Sequence, residues 1–182
     1  MDAIKDKLPD WARDARINLG VIGAAGGELE PREAWGTAVA AAAAARNAEL
    51  LAAVRAAAAA HLDAAHEAAA LAAASLMAMN NVYYRFRHFM GDDSPYQQLP
   101  ARLRMQGLAN HGIDHKTFEL WCLAVSAING CENCVRAHEQ VVREKGGTPQ
   151  QMNDAVRIAA VIHAAAVSLE VAAPQPLPAT AA

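Results

Sequence analysis

The sequence predicts an all-α protein, a compact multi-helix subunit, and three observations support this prediction. Alanine, the strongest helix former, dominates residues 32–78 together with Leu, Glu and Arg, while β-branched residues are sparse there. No segment shows the alternation of a strand or the rhythm of a βαβ unit. Breaks rich in turn residues separate apolar stretches of helical length.

Length and composition assign these helices to a single domain, residues 1–182. The chain of 182 residues is long enough to bury a sizeable core, and its charged share of 19% is below the usual value of about 25%. A net charge of −3, without a run of Lys or Arg, argues against nucleic acid and anionic membrane as partners.

The amino terminus, MDAIKDKLPDW, lacks the apolar segment of a secretory signal, so we expect a cytoplasmic protein. Charged residues interrupt the Ala-rich stretch too often for a membrane span, which needs about 20 apolar residues.

The first half of the chain predicts two helices in the Ala-rich region. Residues 47–57 place Leu50, Leu51 and Val54 at helical spacing with charges between them. Residues 61–84 form a second helix, nearly apolar toward its end, and the turn residues of GDDSPYQQLP then predict a loop.

The second half predicts three further helices, and their ends have local signals. Asp114 is a suitable N-cap for a largely buried helix over residues 116–128. Asn129 and Gly130 end this helix, and Cys131 is expected in the first turn of the next one.

That helix runs toward Lys145, and Thr148 is the expected cap of the last helix, residues 149–171. The tail, about 173–182, is expected to be loose. The segments 79–88 and 128–138 resemble each other weakly, which indicates a faint internal helical duplication.

The stretch NGCENCVRAH places Cys131 and Cys134 in a C-x-x-C motif, with His138 four residues later. In a helix all three lie on one face and can meet at one site. Because cytosolic thiols are kept reduced, the motif indicates redox catalysis or metal binding rather than a structural disulfide. Two small core cysteines are the third alternative.

Thiol chemistry at this motif requires a thiolate. A free cysteine with a pKa of about 8.5 is only about 3% ionised at pH 7, and a pKa of about 7 raises that fraction roughly 16-fold. A helix amino terminus and a nearby imidazole can supply the stabilisation of about 2 kcal/mol that this change needs.

Glu119 lies in an otherwise apolar helix, twelve positions before Cys131. A carboxylate there is costly unless it is paired or used. If the turn at 129–130 folds the two helices together, Glu119 can reach His138 or the cysteines and act as a base. The alternative is that it faces solvent or pairs with Lys116.

A zinc site is the main competing interpretation, but the motif supplies only three ligands. Cys122 or His115 would have to complete the site, and no spacing favours either one. Cys122 is otherwise a small core residue. The remaining histidines are assigned to the core edge or the surface: His61, His66, His88, His111, His115 and His163.

The pattern Glu119-x11-Cys131-x2-Cys134-x3-His138 resembles the signature of the alkyl hydroperoxidase D (AhpD) family, within the carboxymuconolactone decarboxylase-like group. The similarity extends through FELWCLAVSAINGC, REAWGTAVAAAAAARN and LMAMNNVYYRFRHF, and so covers nearly the whole chain. It implies an all-helical homotrimer and a lipoyl-dependent peroxidase that reduces organic hydroperoxides to alcohols. No bound cofactor is implied.

The resemblance also implies the partners and the electron path. Dihydrolipoamide on a lipoylated acyltransferase supplies electrons that come from NADH through a dihydrolipoamide dehydrogenase. A peroxiredoxin is a further implied partner.

The resemblance assigns each site residue a role. Cys134 attacks the peroxide and becomes a sulfenic acid, and Cys131 resolves it to a disulfide. Glu119 and His138 belong to a proton relay. Asn133 departs from the family, in which many members have a histidine before the second cysteine. Asn133 cannot transfer a proton at neutral pH.

Two other functions stay open at this point. A non-redox carboxymuconolactone decarboxylase-like enzyme would share the fold but gives no reason for the cysteine pair. A general disulfide reductase, acting as an adaptor for a peroxiredoxin, would use the same cysteines with a different oxidant.

Overall fold

The computed structural model describes residues 1–20, 22 and 27–173. Over these ranges the chain forms helices and no β-strand, which confirms the all-α class. The α-helices in this part of the chain are α1 (Asp2–Lys5), α2 (Arg13–Leu19), α3 (Pro31–Ala45), α4 (Ala48–Ala58), α5 (Ala64–Phe89), α6 (His115–Ile128), α7 (Glu132–Glu144) and α8 (Pro149–Ala172). Short 3-10 helices cover Asp10–Ala12, Pro95–Gln97 and Gln106–Leu108.

Helices α3 and α6 form the centre of the fold. The Ala-rich α3 packs against α4, α5, α6 and α8, and α6 also packs against α5, α7 and α8. Small alanine side chains let the helix axes approach closely, so residues 38–42 of α3 are fully buried. The apolar segment 120–125 of α6 is equally buried. The two central helices therefore carry much of the core.

One close contact joins these central helices. Gly36 of α3 lies against the indole ring of Trp121, and a Cβ at residue 36 would overlap that ring. The Trp121 Nε1–H donates to the carbonyl oxygen of Glu33 at 3.1 Å. The glycine thus fixes how closely α6 approaches α3.

The helix ends follow local capping. Asp114 accepts from the N–H of Thr117, and Thr148 accepts from the N–H of Gln151, so both predicted caps are confirmed. Helix α5 starts at Ala64 rather than at the predicted residue 61, because Asp63 is its N-cap.

The short amino-terminal helices α1 and α2 were not predicted. Their buried apolar side chains, Ile4 and Leu19, join the main core, and α2 packs against α8. The predicted loose tail lies outside the described residues, except for Ala173.

Helix α8 is, within the described ranges, the one helix long and apolar enough to cross a membrane. Its apolar residues, among them Ile158 and Ile162, belong to the protein core. We therefore interpret α8 as a core helix.

The two segments that resemble each other in sequence have different local structures. Residues 79–88 continue one helix, α5, whereas residues 128–138 contain the end of α6 and the start of α7. Gly130, with φ of +65°, makes that turn possible.

Candidate active site

Cys131 and Cys134 form a disulfide at the amino terminus of α7. Cys131 is the N-cap residue of α7. We expected it in the first turn of this helix, but its backbone is still extended, so it lies just outside that turn. Its N–H donates to the carbonyl of Ser126 at 3.2 Å. Cys131 is 0% exposed and Cys134 is 7% exposed, so Cys134 is the sulfur nearer the surface.

Glu119 and His138 face each other across the α6–α7 contact. The His138 Nδ1 lies 2.6 Å from the Glu119 Oε2, and Glu119 is buried. An ionised carboxylate only accepts hydrogen bonds, so in that state Nδ1 carries the proton and Nε2 points the other way. Nε2 lies 3.2 Å from the Met77 sulfur on α5. His138 is one helical turn after Cys134 and shares its face of α7.

Lys116, the alternative partner of Glu119, pairs instead with Glu33 of α3 at 2.8 Å. Its hydrogen bond to Glu33 raises the pKa of Lys116. Glu119 therefore stays available to the imidazoles around it.

A second histidine approaches Glu119 from its own helix. His115 Nε2 lies 3.7 Å from the Glu119 Oε1, and His115 Nδ1 lies 3.3 Å from His111 Nε2. His111 stacks on the Phe118 ring at 4.1 Å. Burial lowers the pKa of His111, and His115 lowers it further. The sequence analysis assigned both histidines to the surface or the core edge, and this is confirmed, since His115 is exposed and His111 is half-buried. It did not place His115 beside Glu119.

A polar network holds the turn that carries Cys131. Asn81 of α5 donates to the Ser126 hydroxyl at 3.0 Å and accepts from the Asn129 side chain at 2.9 Å. Arg85 donates to the Asn129 carbonyl. These contacts tie α5 to the α6–α7 turn. A polar pair in the apolar part of α5, Asn80-Asn81, was the available signal in the sequence.

A cavity of about 420 Å³ opens beside Cys134 and His138. Cys134 and His138 line it from α7, and Asn80 and Tyr84 line it from α5. Asn80 is 4% exposed, and its Oδ1 has no hydrogen-bond partner in the part of the chain that the structure describes. Asn133 is exposed and also lines this cavity. Cys134 thus adjoins open space, whereas Cys131 is not among the lining residues.

Cys122 lies apart from this chemistry as a free, buried thiol. Burial raises its pKa well above the usual value, and the charge of Glu119 adds to the effect. Within the described ranges no group of three or more His, Cys, Asp or Glu side chains is arranged to hold a metal ion.

Several known proteins match this chain over almost its whole length, and one family model matches its second half. The model of the Carboxymuconolactone decarboxylase family matches residues 94–174. A protein of Anaeromyxobacter dehalogenans strain 2CP-C, named alkyl hydroperoxide reductase AhpD, is 55% identical over 182 residues, 100% of this chain and 97% of the relative. A protein with the same name from Anaeromyxobacter sp. strain K is 56% identical over the same shares.

A third relative with this name, from Rhodospirillum centenum, is 50% identical over 170 residues, 93% of this chain and 90% of the relative. Such identity over nearly the full length of both chains shows shared descent. The chain therefore belongs to the AhpD family.

Proposed function

We propose that the protein is an alkyl hydroperoxide reductase that works through a redox-active Cys131–Cys134 disulfide. One observation above all supports this function. Cys134 borders a cavity together with His138, and His138 is paired with the buried carboxylate of Glu119. A thiol with a proton acceptor beside an open space is the arrangement that peroxide reduction needs. The names of the relatives point to the same activity.

The oxidative half-reaction has two steps. The Cys134 thiol gives its proton to His138, and the thiolate attacks the distal oxygen of the hydroperoxide. A sulfur–oxygen bond forms, the O–O bond breaks, and the alkoxide takes a proton to leave as the alcohol. Cys131 then attacks the sulfenic acid, which forms the disulfide and releases water.

Glu119 supports the proton transfer by holding His138 in one orientation. Nδ1 is engaged by the carboxylate, and the Met77 thioether beside Nε2 has no proton to give, so Nε2 is the ring atom that can take and return the proton. The negative charge of Glu119 also stabilises the imidazolium that forms. Asn133 takes no part in proton transfer, so in this chain the relay runs through Glu119 and His138.

Dihydrolipoamide is the proposed electron donor that returns the disulfide to two thiols. A lipoylated acyltransferase presents it, and a dihydrolipoamide dehydrogenase recharges it from NADH. The family resemblance supports this donor, together with a homotrimeric assembly and a cytoplasmic location. Transfer of electrons to a peroxiredoxin would use the same disulfide.

A coupled NADH assay tests this function. We expect NADH consumption with an organic hydroperoxide only when dihydrolipoamide, dihydrolipoamide dehydrogenase and lipoylated acyltransferase are all present. Cys134→Ser should abolish turnover, and Cys122→Ser, which alters a thiol outside the site, should retain it. Full turnover in Cys134→Ser would contradict the cysteine mechanism. Decarboxylation of a lactone substrate that survives alkylation of both motif cysteines would favour the non-redox alternative.

A further inference from the structure

The cavity beside Cys134 has a mostly apolar side and a side that carries the thiol and the imidazole. Its walls between α5 and the 105–108 segment come from the side chains of Tyr84, Met105 and Leu108. The reactive side is formed by Cys134 and His138. A volume of about 420 Å³ falls within the range of small-molecule sites, about 300–1,000 Å³. The space can therefore hold an apolar group next to the sulfur.

Asn80 places an unpartnered polar group in this lining. The side chain is 4% exposed, and its Oδ1 has no hydrogen-bond partner among the described residues. Asn81, the next residue in the same helix, has both ends of its amide engaged, by Ser126 and Asn129. The Oδ1 itself is covered from solvent, and no described residue hydrogen-bonds the Asn80 amide nitrogen. The amide therefore has unused hydrogen-bonding capacity in the cavity lining, and turning it exchanges the positions of Oδ1 and Nδ2.

We propose that Asn80 binds the O–OH group of an organic hydroperoxide whose apolar group lies against Tyr84, Met105 and Leu108. The hydroxyl end of a hydroperoxide both donates and accepts hydrogen bonds. Either orientation of the Asn80 amide can therefore bind it, with Oδ1 accepting or Nδ2 donating. The proposal rests on the proposed function, and it identifies how the site selects and orients its substrate.

This contact would persist through the attack. The Cys134 thiolate bonds to the distal oxygen, the O–O bond breaks, and the proximal oxygen leaves with the alkyl group after taking a proton from His138. The distal oxygen keeps its hydrogen and becomes the sulfenic acid hydroxyl. Asn80 thus binds the same hydroxyl before and after the step and aims the distal oxygen at Cys134.

Asn80→Leu is the informative variant, because leucine has a similar volume but no hydrogen-bonding group. In a Cys131→Ser background, single-turnover trapping of the Cys134 sulfenic acid measures the second-order rate with cumene hydroperoxide and with hydrogen peroxide. We expect Asn80→Leu to lower both rates about tenfold to a hundredfold, the effect of one lost hydrogen bond in the transition state. Leu108→Ala should lower only the rate with the bulky substrate.

Two controls separate substrate binding from a structural role. Alkylation of Cys134 by iodoacetamide should be unchanged in Asn80→Leu, since this reaction needs the thiolate but no hydroperoxide. The thermal midpoint should stay the same or rise, because the substitution removes a buried unpaired carbonyl. Asn80→Ser, which keeps a small hydrogen-bonding group, should recover part of the rate.

Each outcome has a definite reading. A wild-type peroxide rate in Asn80→Leu would mean that the Asn80 amide does not contact the substrate, and it would overturn the proposal. Equal losses in alkylation and peroxide reaction would overturn it too, by showing that Asn80 only shapes Cys134. If Cys134 of the Asn80-containing protein forms no sulfenic acid with any hydroperoxide, the proposed function itself fails.

Discussion

Glu119 is the residue that both imidazoles of the candidate site approach. It lies in a buried part of α6, 2.6 Å from one imidazole and 3.7 Å from another. A buried carboxylate is stable only when partners replace its lost hydration. The two contacts are unequal, because only that to His138 has hydrogen-bond length.

Substitutions at Glu119 and His115 should therefore differ in effect. Glu119→Gln keeps the volume of the side chain but removes the charge that orients His138 and stabilises its cation. We expect peroxidase turnover to fall by about 10²-fold or more, as is typical for a lost general acid–base function. His115→Gln leaves the 2.6 Å contact in place and should reduce turnover only about twofold to threefold. His163→Gln, on an exposed part of α8, is the control.

The comparison has a clear contrary result. Equal losses in Glu119→Gln and His115→Gln would show that the two imidazoles act as one unit. Turnover measured from pH 6 to pH 8 would then show whether the shared step is a proton transfer.

The free thiol of Cys122 should be unreactive in the folded protein. Its raised pKa keeps the thiolate fraction below that of an ordinary cysteine at every pH below the raised value, and burial also blocks access. After mild reduction, iodoacetamide at pH 8 should modify Cys134 in minutes and spare Cys122. Peptide mass spectrometry measures both sites, and guanidinium should expose Cys122 as the positive control. Equal labelling in the native protein would contradict the burial.

At the scale of elements, the turn between α6 and α7 places the disulfide and the Glu119–His138 pair in one region. It joins the helix that carries Glu119 to the helix that carries Cys134 and His138. Helix α5 supports this turn through Asn81 and lines the cavity through Asn80. A third helix thus fixes the geometry between the other two.

At the contact between α3 and α6, a Gly→Ala substitution should change stability in the opposite direction from one at an exposed helix position. At an exposed helical position, Gly→Ala stabilises a protein by about 1 kcal/mol. Gly36→Ala should instead lower the free energy of unfolding by about 1–3 kcal/mol, because the added methyl group overlaps the Trp121 ring. Urea denaturation measures the change.

The double variant Gly36→Ala, Trp121→Phe supplies the test of cause. If the ring overlap is responsible, the smaller ring should cancel part of the loss, and the two substitutions will not be additive. Additive losses would place the effect of Gly36→Ala elsewhere in the helix.

The helix ends that the sequence predicts well are those set by residues close to them in the chain. The caps at Asp114 and Thr148 and the break at Gly130 depend on a few neighbouring residues, so the second half of the fold could be predicted closely. Helices α1 and α2 are too short to be stable alone and depend on distant contacts, so no local pattern marks them.

The candidate site divides in the same way. The cysteine pair and His138 are recognisable by spacing along one helix. The choice of His138 rather than Lys116 as the partner of Glu119 depends on how α6, α7 and α3 pack. The positions of Asn80 and His115 depend on that packing too, so neither could be assigned from one sequence.

At the scale of the whole molecule, an exposed apolar surface stands out at the carboxyl end of α5. Its side chains are large and lie close together in the chain: Val82, Phe86, Phe89, Met90, Tyr96 and Leu99. Phe89 alone is 70% exposed. Such surfaces usually mark contacts between proteins, which agrees with the proposed homotrimer.

We expect light scattering after size exclusion to give a mass about three times that of the 19.2 kDa chain. Phe89→Glu should shift this mass toward that of the monomer, because a carboxylate buried in an apolar interface has no partner. Trp11→Glu, at another exposed aromatic residue, tests whether any loss of surface apolarity is sufficient. A monomeric parent protein would rule out this role for the surface.

The unequal exposure of the two cysteines has a kinetic consequence. Because Cys131 is fully covered and Cys134 borders the cavity, a dithiol that reduces the disulfide must attack the same sulfur that meets the peroxide. Oxidant and reductant then occupy one space in turn, and neither can bind productively while the other is there. Double-reciprocal plots of the initial rate should give parallel lines, the pattern of a ping-pong cycle. Excess hydroperoxide should not speed the reduction of the disulfide by the dithiol.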